Sequence, residues 1–412
     1  MSDFIMAAAN GRNIPKEDVI FGISRRAREM AEDVGEDKVI NATIGALLDD
    51  EGELLVLSSV DDTFMGLEPV EYAQYAPIGG TPEFRKAAIR AALRNYEPKG
   101  QVRAVATPGG TGSLRNTIAN YSCPGDQILT TDWHWSPYKT IAAEQGRSIA
   151  TFRLFDENHG FNAEDFRKRV GEMLEKQDRL IIILNTPAQN PTGYSLTDSD
   201  WQKVIGILSS QEPEKRIALL VDTAYIDFAG DEDEYRSFLP YLEELPANVL
   251  PILAFSMSKT FTLYGLRCGA MICLAPNEEI ADEFVRVCEF SSRASWSNSP
   301  RVGQSIIANI FADKDLLDRV TKERKEIRDM LLKRGRAFEE EAARAGLPIL
   351  PYDGGFFASI PCDDPASASR ELEAEGIFLV PLAMGLRVSL ASVSEEKCRR
   401  IPAKVVEVLN KR

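Results

Sequence analysis

Between about residues 102 and 274, short apolar runs alternate with stretches of helical period. The runs at 103–107, 127–131, 149–154, 180–185, 217–222, 250–256 and 268–274 predict seven strands. The stretches 113–121, 138–145, 163–176 and 198–209 predict helices between them. Strands that are apolar throughout need cover on both faces. The pattern therefore predicts an α/β fold, with a large domain built on a mostly parallel seven-stranded sheet covered by helices. An amphipathic helix is expected at 21–34 and a long charged one at 313–346. Short strands at 348–360, 377–381 and 385–390 and a closing helix at 394–411 add a smaller α+β domain. The expected division is an N-terminal arm (1–20), a first part of the small domain (21–54), the large domain (55–320) and a second part of the small domain (321–412).

A length of 412 residues exceeds what one core supports, which agrees with two domains. The net charge of -15 argues against a nucleic-acid surface or an anionic membrane partner, but leaves room for a local basic site and a small acidic substrate. Six scattered cysteines without a CxxC pair fit reduced thiols and predict a cytoplasmic setting. Two histidines are too few for a His-rich metal centre, so no metal is expected. The N-terminus lacks a basic flank with an apolar core, and no apolar run is long enough to cross a bilayer.

The strand ends carry the candidate chemistry, because ligands of open α/β sheets sit at the carboxyl ends of strands. Lys259 follows the run ending at Ser256, between Ser258 and Thr260, with Arg267 two helical turns on. Burial disfavours an ammonium, so such a lysine can act as a neutral amine on a carbonyl. Ser256, Ser258 and Arg267 suit a phosphate, and a reactive amine beside a phosphate seat is what pyridoxal phosphate requires. Gly110 and Thr111 open a helix whose free N–H groups favour an anion, although Thr111 alone also reads as a turn cap. Asp222 ends an apolar strand: alone a helix cap, beside a pyridinium nitrogen the carboxylate that keeps it protonated. Tyr225 and Asn190 can serve the cofactor's 3-oxygen. Trp135 reads as core or as a face for a flat ring. Arg387, inside an apolar strand, needs either an interdomain acid or a substrate carboxylate. Arg293 lies in a polar stretch where most arginines face water.

Eight motifs occur in order: Asn41 to Gly45, Tyr75 to Gly80, Thr107 to Gly112, Trp135, Asn190-Pro-Thr-Gly193, Asp222-Thr-Ala-Tyr225, Ser256-Met-Ser-Lys259 with Arg267, and Gly385-Leu-Arg387. From about residue 19 onward the chain resembles the pyridoxal-phosphate aminotransferases of fold type I, class I/II, close to the aspartate and aromatic enzymes. The resemblance implies that Lys259 makes the imine link to the cofactor and later carries the substrate Cα proton. It implies Asp222 on the ring nitrogen, Tyr225 and Asn190 on the 3-oxygen, and Trp135 stacked on the ring. Gly110, Thr111, Ser256, Ser258 and Arg267 would hold the phosphate, with Tyr75 arriving from a second subunit. Arg387 would grip the substrate α-carboxylate, the partner's Arg293 a side-chain carboxylate, and Gly45 would lie where the small domain closes. A homodimer follows. The chain departs from the aspartate enzymes in carrying Tyr138 where they commonly have a histidine supporting the aspartate, residues 186–189 without histidine, and Thr262 and Cys268 after the lysine.

The implied activity is transamination between an L-amino acid, aspartate or another dicarboxylic one, and a 2-oxo acid such as 2-oxoglutarate, with ping-pong kinetics. Aromatic donors are an alternative. A decarboxylase or carbon–sulfur lyase would use the same ring chemistry on another Cα bond. A non-catalytic effector module is a further class, disfavoured by the full set of chemical residues and by the absence of a basic helix-turn-helix ahead of the fold.

Overall fold

The structure is a computed structural model that describes Met6, residues 17–231 and residues 233–411. Its large sheet contains β1 (Gln101–Thr107), β2 (Gln127–Thr131), β3 (Ser148–Phe152), β4 (Arg179–Asn185), β5 (Arg216–Asp222), β6 (Val249–Ser256) and β7 (Gly269–Ala275). The spatial order is β1-β7-β6-β5-β4-β2-β3. Only β7 runs against its neighbours; the other pairs are parallel. Each strand starts within two residues of its sequence-predicted start.

The period-2 geometry of strands explains the double cover. On β4, Leu180, Ile182 and Leu184 enter one core with Trp201, Val204 and Ile207 of the helix Asp198–Ser209. Ile181 and Ile183 point the other way, into a core with Leu114, Ile118, Tyr138 and Phe284. Neighbouring β5 splits in the same manner, with Ile217, Leu219 and Val221 against Ala218 and Leu220.

A separate core joins Ile40 and Leu47, early in the chain, to Phe338, Ile360, Leu386 and Val405 near its end. The 32-residue helix Lys314–Ala345 connects the cores over about 48 Å. Asp313 caps its start by accepting from the Leu316 N–H, and Gly346, at φ +68°, ends it in the left-handed region. Buried Arg334 on this helix donates to the Leu48 carbonyl and pairs with Asp50 at 2.7 Å.

Three expectations are corrected. The strand expected over 348–360 covers only Phe357–Pro361, because Gly355, at φ +85°, turns the chain just before it. The single strand expected over 377–381 is two: Ile377–Phe378 pairs in parallel with Ile40–Asn41, and Val380–Pro381 pairs antiparallel with Gly385–Ser389. The N-terminal arm expected over 1–20 lies mostly outside the described residues, and its last two residues open the helix Val19–Val34, which Asp18 caps. Among the described residues, no helix is long and apolar enough to cross a membrane.

Candidate active site

The carboxyl ends of β1, β2, β4, β5 and β6 converge on one cavity of about 310 Å³. Gly110, Thr111, Trp135, Asn190, Asp222, Tyr225, Ser256, Ser258, Lys259 and Arg267 line it from the sheet side, and Gly45 and Arg387 close it from the opposite side. Twelve of the fourteen sequence-predicted site residues are therefore brought together.

Lys259 sits in the single helical turn Met257–Thr260, directly beyond β6, and Ser256 caps that turn by accepting from the Ser258 N–H. Its Nζ donates to the Gly45 carbonyl at 2.9 Å and lies 4.6 Å from the centre of the Tyr264 ring. Desolvation, with Arg267 and Arg387 nearby, pushes its pKa down to about 7, against a smaller opposing pull from Asp222. A large fraction is therefore free amine at neutral pH.

Asp222 is buried at the end of β5. Tyr138 donates to its Oδ2 at 2.6 Å and the Ala224 N–H reaches its Oδ1 at 3.2 Å. Burial still pushes this carboxyl above its ordinary range, because both partners are neutral. A cation against it would restore the charge. Beside it, the Tyr225 hydroxyl accepts from Asn190 Nδ2 at 3.3 Å, and burial pushes that phenol up.

An anion seat adjoins. The 13-residue helix Gly109–Tyr121 begins at the cavity after Pro108, with no side chain capping its first N–H groups. Arg267 Nη1 donates to Ser258 Oγ at 3.1 Å. Gly109 has a left-handed φ of +69°, and a Cβ there would lie 2.4 Å from Arg267 Nη2, so the guanidinium would have to move away. The glycine lets the guanidinium lie against the helix start.

Arg387 lies at the centre of the antiparallel strand Gly385–Ser389, only 4% exposed. It donates to the Thr43 carbonyl at 2.8 Å and to Asn190 Oδ1 at 3.3 Å, and it stacks on Phe357 at 4.4 Å. Among the described residues no carboxylate pairs with it, and its Nε has no partner. Burial lowers its pKa to about 10. The interdomain ion pair considered from sequence is not formed.

Tyr75 and Arg293 are not in the cavity. Tyr75 is 84% exposed. Arg293, near the end of the helix Glu278–Ser295, is exposed and donates to Ser297 Oγ at 2.6 Å. Six lining residues escaped sequence reasoning: Asn185, Tyr264, Ile20, Leu114, Ala224 and Phe357. Asn185 donates to the Asp222 carbonyl and accepts from the Asn190 N–H, both at 2.7 Å. The Tyr264 hydroxyl accepts from the Leu47 N–H at 3.0 Å. The only sequence signal for Asn185 and Tyr264 was position, one at a strand end and one between Lys259 and Arg267.

A lysine amine, a buried carboxylate, an anion seat and a buried guanidinium without an ion pair line one cavity on an α/β frame, an arrangement suited to chemistry on a bound aldehyde. The chain belongs to the aminotransferase class I and II family, which it matches over residues 37–405. It is similar to an aminotransferase of Anaerococcus prevotii at 36% identity and TM-score 0.96, covering 99% of this chain and 100% of that one. It is also similar to the aspartate aminotransferase of Salmonella typhi, 28% identical over 391 residues, 90% of this chain and 93% of that protein. The aromatic-amino-acid aminotransferase of Burkholderia pseudomallei, solved covalently bound to pyridoxal phosphate, shares the fold at TM-score 0.78 and 22% identity, over 98% of this chain and 100% of that one. The protein is an amino-group transferase whose cofactor is pyridoxal 5′-phosphate. The cavity's residues fit that group, since the anion seat, the amine and the buried carboxylate lie on its walls together. Family members act on amino acids and 2-oxo acids and are typically homodimers.

Proposed function

We propose that the chain transfers the amino group of a dicarboxylic L-amino acid such as aspartate to a 2-oxo acid such as 2-oxoglutarate, in two half-reactions with ping-pong kinetics. Pyridoxal phosphate, when bound, supplies the electron sink that makes the substrate Cα–H acidic. The first N–H groups of the helix at Gly110 and Thr111, with Ser256, Ser258 and Arg267, hold its phosphate. Asp222 would keep its ring nitrogen protonated, Tyr225 and Asn190 would hold its 3-oxygen, and Trp135 would cover its face. Lys259 would hold the cofactor through its amine, and its free Nζ would carry the substrate Cα proton to the cofactor's C4′ carbon. A pKa near 7 suits both directions of that transfer. Arg387 binds the α-carboxylate through its unused guanidinium edge.

Tyr75 and Arg293 act in the partner's site, Tyr75 on the phosphate and Arg293 on the side-chain carboxylate. Both are exposed here, and the segments that carry them also expose Met65, Val70, Tyr72 and Phe290, apolar surface that a second copy would cover. Residues 21–54 and 321–412 form the small domain, which brings Gly45 over the substrate, and 55–320 form the large one. The free cysteines fit a cytoplasmic enzyme. A second reading, an aromatic donor, is favoured by Ile20 and Phe357 on the cavity wall.

The observation that carries the proposal is Arg387, a buried cation without an acid beside a low-pKa lysine. A panel of amino donors and 2-oxo acceptors, with borohydride trapping and peptide mapping, tests it. Turnover of α-amino acids with a reduced cofactor adduct on Lys259 is expected. Equal turnover of amines that lack an α-carboxylate would reject it.

A further inference from the structure

Behind the cavity lies a carboxylate that the reaction does not use. Asp227 is 1% exposed, in the short turn Ile226–Phe228 that follows Tyr225. Arg236 pairs with its Oδ1 at 2.7 Å and Arg94 approaches at 3.6 Å. Arg236 is itself anchored, donating to the Ala92 carbonyl at 2.9 Å and the Ala91 carbonyl at 3.2 Å, at the end of the helix Pro82–Leu93. The other carboxylate oxygen, Oδ2, accepts a 2.7 Å hydrogen bond from Thr260 Oγ1. Thr260 is 2% exposed and directly follows Lys259.

This bond ties together the two turns that carry the chemistry. One turn leaves β5 with Asp222 and Tyr225, and the other leaves β6 with Ser256, Ser258 and Lys259. Neither Asp227 nor Thr260 lines the reaction cavity; both line a separate one of about 280 Å³ behind it. A buried charge cluster is a poor route to stability, because desolvation consumes most of its Coulomb attraction, whereas its directed bonds fix geometry. Lysine has four rotatable side-chain bonds, so the orientation of its short helical turn decides where Nζ can reach. A misplacement of about 1 Å can lower a rate by about a hundredfold.

We infer that Thr260, held by Asp227, is a positioning residue that aims the Lys259 turn at the reacting centre. The inference rests on the reading that Lys259 is the cofactor-binding lysine. It makes the Thr260 hydroxyl the working part, distinct from the shape of the side chain, which valine reproduces.

The experiment compares wild type with Thr260→Val and Thr260→Ser. Each is stripped of cofactor and mixed with pyridoxal phosphate. The rate of covalent linkage is followed by absorbance and by borohydride-reduced peptide mass; kcat, KM and melting temperature are measured on the reloaded enzymes. Thr260→Val is expected to link about tenfold more slowly and to lose a similar factor in kcat, with KM within about twofold. Thr260→Ser is expected to keep both rates. Should the valine variant not fold, Thr260→Ala takes its place with the same expected rates. Linkage by Thr260→Val at the wild-type rate, or equal slowing by valine and serine, overturns the inference. A wild-type adduct on a residue other than Lys259 would instead reject the underlying reading, so the two failures are distinguishable.

Discussion

Asp222 and Asp227 lie five residues apart and both are buried, one lining the cavity with Lys259 and the other bonded to its neighbour Thr260, and their surroundings push them in opposite directions. Asp227 is ringed by the guanidinium groups of Arg236, Arg324 and Arg94, which hold its carboxyl well below the usual range despite burial. Asp222 has only a phenol and an N–H as hydrogen-bond partners, and burial pushes it up. The same contrast separates Arg236, saturated by a carboxylate and two carbonyls, from Arg387, whose Nε has no partner. Charge compensated within the protein fixes shape. Charge left under-compensated, beside an open cavity, is held ready for a ligand.

The largest expected effect is on chemistry. Lys259→Ala should lower turnover by about 10⁵-fold or more, while the anion seat still binds the cofactor non-covalently. Steady-state rates and equilibrium dialysis measure the two sides. Next comes the direct test of the contrast, by urea unfolding of the cofactor-free protein. Asp227→Asn should lose about 3–5 kcal/mol, because it strands buried guanidinium groups. Asp222→Asn should lose less than about 1 kcal/mol, since its neighbours are neutral, yet it should cripple turnover. Equal losses from the two variants would erase the distinction. Arg387→Gln should lower kcat/KM for α-amino acids by about a hundredfold, within the 2–5 kcal/mol range for a desolvated charged contact. Its unfolding midpoint should not fall, because no ion pair is broken.

The contrast also marks what the sequence reveals. All seven strands were legible because a sheet covered on both faces requires uninterrupted apolar runs, and their ends named the cavity. Asp222 and Lys259 stood out as charges at or just beyond the ends of such runs, and Arg387 as a charge inside one. Asp227 did not, because its partners Arg236, Arg94 and Thr260 are distant in sequence or ordinary in kind. Tyr264 and Ile20 were missed for a related reason: an apolar or aromatic residue reaching a cavity looks like one reaching a core. The region around the separate core of Ile40, Phe338 and Leu386 was read least well. Strands of two residues, such as Ile377–Phe378 and Val380–Pro381, divided between two sheets, leave no periodic signature.

Arg293 tests whether under-compensated charge also extends across a dimer. Arg293→Gln should lower kcat/KM for aspartate by about tenfold or more and leave aromatic donors within about twofold. Parallel kinetics on the two donor classes check this. Equal loss on both would give the residue another role, and with it the dicarboxylate reading would fall.

The smallest effect expected is thermal, and it isolates the lysine's charge. In the unfolded chain the Lys259 amine titrates near its ordinary 10.5, and in the folded protein at about 7. Below about pH 7 both states carry the proton, and the fold bears the full penalty of burying it. Between those values the unfolded chain holds a proton that the folded chain has released, so raising the pH stabilises the fold through this window. Lys259→Met removes the group and keeps much of its shape. The cofactor-free variant should therefore melt above wild type at about pH 6, and the gap should narrow by about 3 °C by about pH 9. Every other titrating group is common to both proteins, so the narrowing belongs to residue 259. A gap that stays constant with pH would mean that the ammonium is fully compensated where it lies, and the contrast with the Asp227 cluster would lose its central member.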